Sequence, residues 1–599
     1  MPIRLHSLSA SVLGALNSTA EDEHAVGALL DTEKSRRLLL MRAVLDATVH
    51  LPDAEAAGVR EAWDLLEAAE KADPEAFHAV LLDPQVGLWA AAIFRRLFPP
   101  ADREPVPGEP PLWVELGFLG QLAATVAFVA GVDFRLRVPV RSGAVFFPGL
   151  GQAYPGAFDD AWGSAEVRAR DGVFEVAAGR TTVVLPTDPE ADAPGWQGLR
   201  RLRAVHEGVA LSLCLDDLGP YAAVPLARVG RLTDEQFGSW QRWFTLMWQL
   251  LVSDHPASAR ALSRGLQSVV PLPRGERLRA RAASSSDAFG CVLLSEPDQD
   301  EEVLPAQLGV ALIHEFRHTL LNGLIFLVPL FEECEELFHA PWRDDPRPLG
   351  GLVHGAYAFS GVAHYWRARG TTELAGFEFA LWRDAVREVL GTLRGHPALT
   401  PLGRELVHSL TAQTWAWDEE PVGEREERLA RLATAHHHAA WRAHHLRVNP
   451  SHAAELQRAW ADNRPARAAS APDRVLRTDP QACRLDTLAL LARLSIIDRP
   501  GFDDLCSLGE PARTVSGVGP GDLALVDGDA HTAVKLYAEE LAGADPRPAA
   551  WAGLGLALAE TGEPAAGAVL TEHPERALAV SRSLAVPPDP VALARWLAE

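Results

Sequence analysis

A chain of 599 residues is too long for one hydrophobic core, and 48% hydrophobic with 23% charged residues excludes a largely disordered polypeptide. Its 80 acidic and 56 basic residues leave a net charge of −24, which repels a phosphate backbone and excludes general nucleic-acid binding. Five scattered cysteines with no CxxC pair, and no basic-then-apolar signal segment in residues 1–16, point to a reduced, cytoplasmic setting.

The chain reads as mainly α with an inserted antiparallel β region, in four domains. Residues 1–110 form an N-terminal helical module, because apolar residues recur at three and four, as in Ala62-Trp63-Leu65-Leu66 and Leu88-Trp89-Ile93. A Pro-rich stretch, 99–111, ends it. The uncharged run 116–132 is short for a membrane span and reads as a buried helix, so no membrane is expected as a partner. Over 111–230 the period changes to two, giving strands at 135–147, 166–176, 181–185 and 199–215.

Helical spacing returns in 231–460 (Phe237, Trp240, Trp243, Phe244, Trp248, Leu251), with a short strand at 289–294 and a long helix from about Glu302. Residues 461–599 follow an Ala/Arg/Pro-rich segment at 463–472 and are helical. Within them Val526-Asp527-Gly528-Asp529 and Glu560-Thr561-Gly562-Glu563 stand 34 residues apart, the tetratricopeptide period. So few repeats suit stacked hairpins that cap the fold better than a peptide-binding solenoid.

His314-Glu315-Phe316-Arg317-His318 is an HExxH motif inside an apolar helical run, Leu308 to Ile325. Two imidazoles one turn apart on one helix face make a pair of metal ligands, with Glu315 between them as a candidate general base. The extended HExxHxxGxxH pattern fails, since Leu321 and Leu324 occupy its Gly and third His positions. The preferred third ligand is His354, at the start of a following helix that would make the metal site a helical hairpin. Glu332, Glu333, Glu335 and Glu336 read as a solvated loop, and His339 and His364 remain alternatives. His436, His437, His438, His444 and His445 read as a solvated or packing cluster.

The run Ile313 to His318, with Leu321-Asn322 and Val328-Pro329-Leu330, then Pro341-Trp342-Arg343-Asp344-Asp345-Pro346-Arg347-Pro348-Leu349 and Gly355-Ala356-Tyr357-Ala358, resembles the HExxH-motif proteins of peptide-modification gene clusters. The similarity extends over about 40% of the chain, from near Leu199 through Ser268 to Pro273 and on to Arg442. It implies a 2-oxoglutarate-dependent dioxygenase that β-hydroxylates a residue of a ribosomally made precursor peptide, with other enzymes of the same cluster as possible partners. It also implies Fe(II) held by His314, His318 and His354, a departure from the usual carboxylate-containing triad. Arg343 or Arg347 would clamp the distal carboxylate of 2-oxoglutarate, and Glu315 would orient water or a ligand. The competing readings are a zinc metallopeptidase with Glu315 as base and a non-catalytic peptide-binding protein with a structural metal.

Overall fold

A computed structural model of the chain describes residues 6–99, 108–156, 158, 160–221, 226, 229–298, 303–370, 372–466, 474–508, 515–582, 584 and 588–599. Residues 100–107 of the Pro-rich stretch, 467–472 of the Ala/Arg/Pro-rich segment and Glu302 lie outside them. The chain divides into two compact units, one of residues 1–16 and 20–328, the other of residues 17–19 and 329–599.

In the first unit, helices Glu23–Thr48, Val59–Ala72, Pro84–Leu97 and Phe118–Val129 enclose a core of Trp89, Phe118, Leu122 and Val126. The span Leu112–Val129 has the length and hydropathy to cross a membrane, yet 78% of it is buried within the protein. Trp89 Nε1 donates to the Glu115 carbonyl (2.7 Å), which satisfies a backbone acceptor beside the break at Gly117.

Between residues 134 and 206 the strands pair antiparallel. Strands Phe134–Arg141, Trp162–Arg170, Val173–Ala178 and Thr181–Val184 form one sheet in that order. Three expected long strands are instead broken at Ser142-Gly143, Asp171-Gly172 and Glu207-Gly208, where both residues have positive φ (49° and 82°, 52° and 79°, 44° and 79°). Paired positive φ is the two-residue hairpin turn whose twist matches that of the flanking strands.

Another sheet departs from the antiparallel expectation. The hairpin Arg201–His206/Val209–Leu215 continues through parallel pairing of Val209–Leu215 with Ser268–Leu272, and of that strand with Cys291–Ser295. Parallel pairing needs a long crossover, and helices Asp234–Asp254 and Pro256–Gly265 supply it. The first starts at a capping box formed by Thr233 and Gln236. The two-residue strand Ala282–Ala283 closes the sheet antiparallel to Cys291–Ser295.

The second unit is built around Glu424–His445. Helices Glu373–Leu393, Thr487–Ile497 and Ala549–Glu560 pack on it, burying Ala439, Ala440, Trp441, Leu485 and Ala552 together. Two helical hairpins, Pro520–Asp527/Ala530–Leu541 and Ala549–Glu560/Pro564–Glu572, follow. Gly528 (φ +95°) and Gly562 (φ +94°) stand just past the first helix of each, so the 34-residue spacing marks repeated helix ends. Buried Asp522 accepts hydrogen bonds from Tyr537 (2.7 Å) and Arg547 (2.8 Å) inside this segment.

Deleting the chain beyond Gly517 would therefore strip the cover from Ala439, Ala440 and Trp441. With about 1.5–3 kcal/mol per large buried apolar side chain uncovered, the truncated protein is expected to melt at least roughly 10 °C lower or to fail to fold. A melting curve matching that of the full chain would show the hairpins to be dispensable for stability.

Candidate metal centre

The HExxH motif lies in helix Leu304–Ile325, which starts with a proline in its first turn and buries Leu308, Leu312, Ile313, Phe316, Leu320, Leu321 and Leu324. Phe316 fits where it does because Gly265 has no side chain: a Cβ there would stand 2.6 Å from the ring. Beyond its first turn the helix is less than fully buried along one stripe, at Gln307, Val310, Ala311, His314, His318, Asn322 and Ile325, one face of the helix. The motif histidines thus occupy the more open face rather than the greasy one.

His314 Nε2 and His318 Nε2 stand 3.2 Å apart, with ring centroids 4.7 Å apart and ring planes at 84°. Two donors about 2.1 Å from one ion are about 3.0 Å apart at a right angle and about 3.4 Å apart at the tetrahedral angle. The observed separation falls between these, so both nitrogens fit one metal ion. Burial, with the charge of Arg317 beside it, lowers the His314 pKa to about 4, which keeps its ring in the neutral form that coordinates.

Glu315 is 4% exposed and accepts a 2.6 Å hydrogen bond from Ser284, which follows the edge strand Ala282–Ala283. Burial raises its pKa to about 7 against the opposing effect of that hydrogen bond. Its other oxygen lies 3.8 Å from His314 Nε2. Arg317, fully buried, pairs at 3.2 Å with Glu21, and Ser258 donates to the same carboxylate. Sequence reasoning passed over Ser284, which has no motif, and Arg317, whose signal is an arginine on the helix face of Ile313, Leu320 and Leu321.

The remaining candidates belong to the second unit. His354 sits on helix Leu349–Ala368, and burial lowers its pKa to about 4. Arg343 and Arg347 lie on a loop closed by pairing of Leu337–Phe338 with Arg347–Pro348. Both donate to Asp345, each at 3.0 Å. Burial opposes ionisation of Asp345, but these hydrogen bonds and charges prevail and hold its pKa below the ordinary value. Asp344 accepts from the backbone N–H groups of Arg484 (2.8 Å) and Leu485 (3.0 Å). The glycines at the start of the His354 helix accommodate side chains: Gly350 faces Phe331, and Gly355 faces Trp342, which stacks on Phe359 (4.6 Å).

Glu332, Glu333, Glu335 and Glu336 are exposed, as a solvated loop requires. His364 faces the Trp417 ring. The histidine cluster corrects the solvated reading: His436, His437, His444 and His445 are all buried. His445 bonds to the Asp344 carbonyl (2.7 Å) and His444 to Asp479 (2.9 Å). His339 pairs through Nδ1 with Glu388 (2.9 Å) and through Nε2 with His437 (3.1 Å). No family model matches the chain, and no curated protein does.

Proposed function

We propose that this protein is a cytoplasmic Fe(II)- and 2-oxoglutarate-dependent hydroxylase acting on the β-carbon of a residue in a ribosomally made precursor peptide. The observation that carries a metal centre is the 3.2 Å separation of the His314 and His318 Nε2 atoms. The reaction class rests on the resemblance of the segments around the motif, Trp342-Arg343-Asp344-Asp345-Pro346-Arg347-Pro348 above all, to the peptide β-hydroxylases.

In this reading His314 and His318 would hold the iron, with His354 as the third donor that the resemblance implies, and the ion would supply the binding of a 2-oxo acid and O₂. Bound iron with 2-oxoglutarate supplies the oxidation of C–H to C–OH as the co-substrate loses CO₂. Glu315, fixed by Ser284, orients a polar group beside His314. Arg343 or Arg347, each bonded to Asp345, would supply the guanidinium that clamps the distal carboxylate of the co-substrate. The hairpins that turn at Gly528 and Gly562 are a tetratricopeptide-like pair that caps the helical unit. Other peptide-modifying enzymes of the same cluster are the expected partners.

One observation favours a zinc peptidase as the second reading: the Glu315 carboxylate stands next to a ligand pair, where a base for a metal-bound water belongs. Glu315→Gln separates the two. A peptidase is expected to lose about 10²–10⁴-fold of its cleavage with its base, while a hydroxylase keeps its metal and measurable turnover. Mass spectrometry of candidate precursor peptides reads the outcome, as one added oxygen with succinate formed or as cleavage that vanishes in the variant.

A further inference from the structure

Three side chains of the second unit converge: His339, just after strand Leu337–Phe338; Glu388, on helix Glu373–Leu393; and His438, on helix Glu424–His445. One donor atom from each lies within 4.8 Å of the others. Donors about 2.1 Å from one ion are about 3.0 Å apart when adjacent and about 4.2 Å apart when opposite, so the three need only small rotamer shifts to share an ion. His339 Nδ1 and Glu388 Oε1 already stand 2.9 Å apart, the adjacent spacing. The His339 and His438 rings stack at 4.8 Å and 26°, and His437 Nδ1 stands behind His339 at 3.1 Å.

Charge points the same way. His339 is 9% exposed and the Glu388 side chain 33%, yet among the described residues no arginine or lysine pairs with Glu388, whose partner is an imidazole. A partly buried carboxylate facing two imidazole rings is balanced by a cation.

We propose that His339, Glu388 and His438 form a second metal site, taking a borderline divalent transition-metal ion such as Zn(II), Co(II) or Fe(II). Two imidazoles and one carboxylate select such an ion over Mg(II) or Ca(II), which prefer all-oxygen sets. Three protein donors leave at least one position for water, so the ion is open to an exogenous ligand. His437 steadies the His339 ring, as an outer hydrogen-bond partner orients a ligating imidazole.

The test uses the full chain, stripped of metal and titrated with Co(II), read by visible absorption and by metal analysis after desalting. The double variant His314→Ala/His318→Ala is expected to keep one equivalent. Adding Glu388→Gln, which preserves side-chain shape, should weaken that equivalent at least about tenfold, and adding His438→Ala should abolish it. Circular dichroism checks that each variant is folded, and Glu388→Gln carries the test should His438→Ala not fold. Loss of all Co(II) in the double variant would overturn the proposal, as would binding there that ignores both further changes. Should the HExxH pair prove to bind no metal, the double variant would match the parent protein while Glu388→Gln still weakened binding, so the two assignments fail separately.

Discussion

His314→Ala and His318→Ala are each expected to remove metal from the HExxH centre and to lower turnover by more than about a hundredfold, with little change in folding. The first expectation follows from geometry: the Nε2 atoms are 3.2 Å apart, a spacing that fits one ion, so on the proposed assignment either loss leaves an incomplete donor set. Changing a mere outer hydrogen-bond partner of a metal ligand costs about 10- to 100-fold, and removing a ligand exceeds that. The second follows from position. Both histidines lie on the stripe of the helix that is not fully buried, the His314 side chain being 21% exposed, so truncation opens no sealed cavity. Iron content and 2-oxoglutarate consumption measure the first effect, and thermal melting the second. Full iron occupancy in either variant would remove the motif from consideration as the metal centre.

Local periodicity made the helices and strands legible. The alternation in Phe134–Arg141 and the three-four spacing in Asp234–Asp254 each reflect one face against a core, and the elements stand where those patterns run. Turns were lost where strand residues continue through them. Asp171-Gly172 is a strong hairpin signal, but Ser142-Gly143 and Glu207-Gly208 sit inside alternating runs that mask the reversal. Parallel pairing of Val209–Leu215 with Ser268–Leu272 joins segments more than fifty residues apart, and no local pattern encodes that partnership.

The candidate site divides the same way. Spacing alone places His314 and His318 on one face, whereas Ser284, Glu21 and Glu388 reach their partners through tertiary packing. Of the two readings of the histidines of Glu424–His445, the buried packing role holds, while their acidic and arginine neighbours in sequence had also suggested a wet helix. The arginines instead make specific pairs, Arg428 with Glu560 and Arg442 with Glu575, that let the intervening face be buried.

The largest expected effect on stability comes from a residue the motif leaves unspecified. Arg317 has no exposed side-chain surface, and Glu21, its partner at 3.2 Å, has almost none. A charge taken this far out of water is tolerated only with its counter-charge and hydrogen bonds in place, here including the Ser258 hydroxyl on Glu21. Arg317→Met keeps most of the volume but leaves the Glu21 carboxylate buried and unbalanced, and it is expected to cost about 3–5 kcal/mol in denaturant unfolding. Glu21→Leu should cost a similar amount by removing the buried counter-charge of the guanidinium. The double change Arg317→Met/Glu21→Leu removes both charges at once and should recover most of the loss, because the cost lies in the unpaired charge rather than in the missing attraction. Two single variants that each unfold within about 1 kcal/mol of the parent would show the pair to be solvated in solution. The pair also bears on the metal centre: Arg317 lies between the two histidines in sequence and ties the helix to the segment preceding Glu23–Thr48, so its loss should loosen the metal as well as the fold, while the double variant regains both.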